Sequence, residues 1–141
     1  MDFWDTRSST CTRMLDLPSG VVGHPVVFSP SGKRLAGFCD GRMVIWSTDN
    51  GKEHQSIPVS GYPQDLAFSC DGQRLVWSEG NQVHVWRMTT ENTLPPPTAF
   101  PTSRSPRPLF SPHDPDLLAY QLDDQTLVLQ TLTSHSQTRH L

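Results

Sequence analysis

The chain has 141 residues, 35% of them hydrophobic, with 13 prolines, 9 glycines and a formal net charge of −3. That size and punctuation fit about one domain built from short elements and many turns. Acids and bases are interspersed, which argues against nucleic acid or an anionic membrane surface as the main partner. No segment approaches the roughly 20 apolar residues that cross a bilayer.

The three cysteines, Cys11, Cys39 and Cys70, are odd in number and match no metal or redox spacing. The opening "MDFWDTRSST" lacks the basic start and apolar core of a signal peptide. A reducing compartment, the cytosol or the nucleus, is the expectation.

Taken in chain order, three stretches repeat. "VVFSPSGKRLAGFCDGRMVIW" runs from 26 to 46, "LAFSCDGQRLVWSEGNQVHVW" from 66 to 86, and "PLFSPHDPDLLAYQLDDQTLVLQ" from 108 to 130. The Phe-Ser pairs at 28, 68 and 110 are separated by 40 and 42 residues, and Trp4, Trp46 and Trp86 by 42 and 40. A period of that length marks a repeat architecture.

Within each copy the apolar runs have strand length, about 4 to 7 residues. In the first they are "PVVFS", "RLAGFC" and "MVIW", joined by "PSGK" and "CDGR", turns with glycine where a positive φ is useful. The second copy turns through "CDGQ" and "SEGNQ", the third through "PHDPD". A weaker fourth strand fits between copies, as in "HQSIPVSG". No proline-free window shows a helical period. The expected class is all-β, with four short antiparallel strands per repeat.

The copies resemble blades of the WD-repeat β-propeller family. The likeness rests on the Phe-Ser-Pro-x-Gly turn, the Leu-Ala strand, the Asp-Gly turn and the terminal Trp, and covers essentially the whole chain. "FWDTRSSTCTRML" resembles the end of a preceding blade. The resemblance implies Trp4, Phe28, Asp40, Trp46, Phe68, Trp86, Phe110 and Asp124 as structural blade residues. Departures are also visible. Trp-Asp survives at Trp4-Asp5 alone, against Trp46-Ser47 and Trp86-Arg87, and Gly80 stands where the turn aspartate belongs. In the third copy either Gln130 or, with the register moved by one, Leu129 takes the Trp position. The hydrogen-bond network of well-formed blades is therefore incomplete, and apolar packing must carry more.

The reading divides the chain into the tail of one blade (1–22), two blades (23–61 and 62–104) and a third (105–141), about three and a half in all. Propellers close with about four to eight blades. A single chain of this kind is incomplete and leaves apolar faces open. It is expected to be part of a longer propeller, to pair with itself, or to be completed by a second chain. Pro95, Pro96, Pro97, Pro101, Pro106 and Pro108 crowd the segment before Phe110. Proline belongs at sheet edges, so this blade's outer strand is expected to be short or absent.

No motif carries chemistry. "SGKR" and "NGKE" lack the rest of a phosphate loop. The histidines show no metal-ligand spacing, and "HDPD" at 113–116 reads as a turn. No nucleophile elbow occurs. Cys39 lies beside Asp40, whose charge raises a thiol pKa. No cofactor and no metal are expected, and no enzymatic activity. The resemblance implies instead a scaffold for a protein partner, with Tyr62, Trp77 and Arg87 as candidate contacts and the packing role of Trp77 the stronger reading. Alternatives are a structural half-propeller subunit and the sensor region of a signalling NTPase.

Overall fold

The computed structural model describes residues 2–5, 7–8, 10–14, 25–89, 96–102, 106–132 and 138–140. Its regular elements are all strands; no helix occurs among the described residues. Strands β1 (Asp2–Asp5) and β2 (Thr10–Met14) pair antiparallel, with Trp4 opposite Cys11. Three four-stranded antiparallel sheets follow, each with its strands in sequence order. The first holds β3 (Val26–Phe28), β4 (Arg34–Cys39), β5 (Arg42–Ser47) and β6 (Glu53–Pro58). The second holds β7 (Gln64–Phe68), β8 (Arg74–Glu79), β9 (Gln82–Arg87) and β10 (Thr98–Pro101). The third holds β11 (Leu109–Phe110), β12 (Leu117–Gln121), β13 (Leu127–Thr131) and β14 (Thr138–His140).

The repeated serine explains the first turn of each sheet. The Ser29 carbonyl accepts from the Gly32 amide at 2.8 Å, and its Oγ accepts from the Arg34 amide at 3.1 Å. Ser69 does the same toward Gly72 at 2.9 Å and Arg74 at 2.9 Å. Both serines are buried. In the third sheet Ser111 Oγ accepts from the Asp114 amide at 3.1 Å, and Asp114 Oδ1 from the Asp116 amide at 2.9 Å, so "HDPD" is a turn. Of the Phe-Ser pair in the first sheet it is the serine that is buried, while Phe28 is 54% exposed.

The second turn differs between copies. Asp40 and Gly41 both take positive φ, 48° and 73°, a two-residue turn between paired Cys39 and Arg42. Gly80 replaces the aspartate at φ 56°. In the third sheet the loop is longer, and Asp123, one residue before the expected Asp124, accepts from the Gln125 amide at 2.9 Å.

Register settles the third Trp position. Leu35 pairs Trp46, Leu75 pairs Trp86, and Leu118 pairs Gln130. Gln130 therefore stands where the other copies carry tryptophan. It is buried, and its Oε1 accepts from Thr138 Oγ1 at 2.6 Å.

Alternation along the strands sends side chains to opposite faces, and the sheets stack through them. Ala36, Phe38, Met43 and Ile45 of the first sheet pack against Leu75, Trp77 and Trp86 of the second. Val76, Val83 and Val85 of the second pack against Leu118, Tyr120 and Val128 of the third. Leu35, Cys39, Val44 and Trp46 form a separate cluster on the first sheet's other face. The proline-rich segment yields an outer strand of four residues, β10, with Pro101 last in its ladder opposite Gln82. Pro95 lies outside the described residues.

Two arginines clasp neighbouring sheets. Arg34 Nη1 donates to the Gly72 carbonyl at 3.4 Å, and Arg74 Nη1 to the Pro115 carbonyl at 3.1 Å. Both open β4 and β8, one residue before the paired leucine. The third sheet has Leu117 at that place.

Candidate interaction surface

One end of the sheets carries the β4–β5 and β8–β9 turns and the connection from β6 to β7. The Val59 amide donates to the Gly41 carbonyl at 2.9 Å, which fixes the connection to that end. Tyr62 projects from it, 82% exposed. Arg87, the last residue of β9, is exposed on the second sheet. Trp77, offered by the sequence both as a contact and, more strongly, as packing, takes the packing role and not that of a contact. It is 1% exposed, edge-on to Phe38 at 6.5 Å and stacked on His84 at 5.3 Å, so its ring fills space between the first two sheets. The equivalent residue of the first sheet is Gly37, which left no sequence signal that a large ring fits here.

The other structural candidates fall as follows. Asp40 is exposed in its turn, Trp46 and Trp86 are buried, and Phe68 and Phe110 are partly buried against the inter-sheet clusters. Asp124 is exposed beside the Asp123 turn. Trp4 sits in β1, and its side chain lies outside the described residues.

A groove of about 880 Å³ opens beside Tyr62, lined by Gly61, Glu79, Asn81, Gln82 and Thr102 among others. Glu79 ends β8 with its side chain 15% exposed. Gly61 makes room for it. A Cβ there would stand 2.5 Å from Glu79 Oε1, the movable end of that side chain, and it is the φ of +147° that favours glycine. His84 Nε2 lies 3.9 Å from Glu79 Oε2, beyond hydrogen-bond reach, and has no hydrogen-bond partner. Burial pushes the imidazole pKa down, against the pull of Glu79. The lowered pKa favours the neutral ring, so His84 is a weak counter-charge for the carboxylate. Neither this pair nor the groove was legible in the sequence, because Glu79 and His84 come together only through the β8–β9 hairpin and the Gly61 loop.

No group of three or more potential metal ligands clusters among the described residues. Burial and the Asp40 carboxylate push the Cys39 thiol up in pKa, which opposes nucleophilic chemistry there. Asp71 resists ionisation through burial. The Ser69 hydroxyl, the Gln73 amide and the Arg74 guanidinium more than offset this and hold its carboxyl below the usual range. Its role is to brace the first turn of the second sheet.

No family model and no curated protein matches the chain. Solved structures do. The β-propeller domain of Cps50 (Swd1) from Myceliophteria thermophila matches with TM-score 0.70 and 20% identity, over 89% of this chain and 40% of that one. U3-55K matches with TM-score 0.66 and 16% identity, over 82% of this chain and 38% of that one. A putative 6-phosphogluconolactonase from Bacteroides fragilis matches with TM-score 0.64 and 18% identity, over 86% and 38%. At these identities the likeness establishes the fold. The chain is a partial β-propeller, an all-β stack of three four-stranded blades and a hairpin, in accord with the WD-repeat resemblance of its sequence. It spans about two fifths of the length of the structures it matches.

Proposed function

We propose that these blades form part of a larger propeller that acts as a rigid, non-catalytic platform for protein partners, in the cytosol or nucleus. The observation that carries the first half is the open face of the third blade. Met43 and Ile45, and their equivalents Val83 and Val85, are buried against the next sheet. The matching residues of the third blade are Leu127 and Leu129, and Leu127 is 44% exposed. Leu109, on the same face, is 65% exposed. Leucines at positions that the fold buries elsewhere call for a further blade, from the same chain, a second copy or another protein. The platform half rests on analogy with propeller domains and on the lack of a catalytic constellation among the described residues.

Sedimentation of the purified chain tests the open face. We expect assemblies larger than 15.8 kDa, dissolved by the double change Leu127→Glu and Leu129→Glu. A discrete dimer would select the self-completed half-propeller. A folded wild-type monomer would overturn the need for closure. Cross-linking of the full chain in cell extract, with partners identified by mass, tests the platform.

A further inference from the structure

We propose that the groove beside Tyr62 takes a cationic side chain, a lysine ammonium or an arginine guanidinium, presented by a protein partner. This rests on the platform reading and names the chemistry that one of its sites recognises. Glu79 carries the argument. Its side chain is 15% exposed, and no hydrogen bond from a described residue reaches its carboxylate. A glutamate side chain buried to this degree is ordinarily paired. The group able to carry positive charge that meets it among the described residues is His84, at 3.9 Å too distant for a hydrogen bond and with its pKa pushed down by burial.

The surroundings fit a cation and a peptide. Among the described residues Glu79 is the one charged side chain lining the groove. Tyr62 offers an 82% exposed ring at the rim, a surface over which an ammonium or guanidinium binds through the ring's negative face. Asn81 and Gln82 add side-chain amides that can bond a peptide backbone. The site is also rigid. The Asn81 carbonyl is tied to the Thr102 amide at 2.8 Å, and the Val59 amide to the Gly41 carbonyl at 2.9 Å at the start of the Tyr62 loop. A preformed carboxylate flanked by an aromatic ring discriminates cation from neutral isostere, because the neutral ligand leaves the charge unpaired.

The test is a titration of the isotope-labelled full chain with three capped tripeptides, Gly-Arg-Gly, Gly-Lys-Gly and Gly-citrulline-Gly, read from amide shifts. Saturable shifts at Gly61, Gly80, Asn81 and Thr102 are expected with the two cations, and binding about tenfold weaker or more with citrulline. Glu79→Gln should abolish the difference between arginine and citrulline. Tyr62→Ala, at an exposed position that leaves the fold intact, should weaken the cations about threefold. Equal affinity for citrulline, an unchanged preference in the Glu79→Gln chain, or no saturable shift in the groove would each overturn the proposal. Because cross-linking reads partner capture anywhere on the chain, a partner captured equally by the Glu79→Gln chain would remove the groove and leave the platform standing.

Discussion

Arg74 reaches from the second blade to Asp116 in the first turn of the third, Nη2 donating to the carboxylate while Nη1 donates to the Pro115 carbonyl. The Arg74 side chain is 12% exposed and that of Asp116 32%, so the pair ties two blades where water is partly excluded. Arg34 stands at the same place one blade earlier but meets neutral acceptors, the Gly72 carbonyl and Met88 Sδ.

The two arginines should therefore differ when removed. Arg74→Ala is expected to cost about 1.5–3 kcal/mol, the range for hydrogen bonds to charged groups, and Arg34→Ala about 1 kcal/mol. Urea unfolding of both variants measures the gap. It should narrow in molar salt, because only the Arg74 contact is an ion pair. Equal losses at low salt would mean that Asp116 contributes nothing to the clasp.

The blade pattern was legible because a pleated strand repeats every two residues and a blade about every forty. The structure places Leu35, Leu75 and Leu118 at matching ladder positions, and with them Gln130 rather than Leu129 at the third Trp position. Residues whose role depends on a neighbouring blade were not legible. Arg34 and Arg74 are visible as letters, but the acceptors they reach on neighbouring blades lie 38 to 54 residues away. Trp77 reads in the sequence both as surface and as packing, and nothing in a single strand shows whether the facing blade leaves room. The Glu79 groove has no motif at all, since a loop glycine, a loop tyrosine and a strand-end acid assemble it.

His84 makes stability depend on pH. Burial lowers its pKa in the folded chain from the ordinary value of 6.5, so the folded state binds the proton less well than the unfolded state does. Its contribution is full above that ordinary value. It declines as the pH falls through the window down to the lowered one. His84→Phe keeps a ring on Trp77 and removes the titration. The melting temperature of the variant should fall less than that of the parent chain across this window. Parallel curves would show that His84 is solvated in solution.

Gly37 and Gly41 should both resist substitution, for different reasons. A Cβ at Gly37 would meet Val26 Cγ1 at 2.8 Å and Trp46 Cζ3 at 3.4 Å, so Gly37→Ala overpacks the face beneath Trp46 at a cost of about 1–3 kcal/mol. Gly41 has open space but φ +73°, and its change to alanine costs about 1 kcal/mol of backbone strain. Adding Val26→Ala should recover part of the loss at Gly37 and none at Gly41. A double-mutant cycle reads the coupling directly. Coupling at both positions, or at neither, would contradict the packing described.

The terminal position of the third strand tests what holds these drifted copies together. Trp86 is fully buried between the first two blades, and Trp46 is buried with Leu35 and Val44 on the opposite face of the first. Truncating either to alanine should cost about 3–5 kcal/mol through lost contacts and the cavity left behind. Gln130 occupies the same register position, held by Thr138 Oγ1 at 2.6 Å and by its own bond to the Thr131 carbonyl at 3.0 Å. Its change to alanine should cost about 1 kcal/mol, the net worth of a hydrogen bond whose partner Thr138 is exposed and can turn to water. The midpoint of urea unfolding, with an unchanged slope, measures all three. A loss below about 1 kcal/mol for Trp46→Ala would mean that its ring meets solvent, and the pairing of Leu35 with Trp46 would then have to be redrawn.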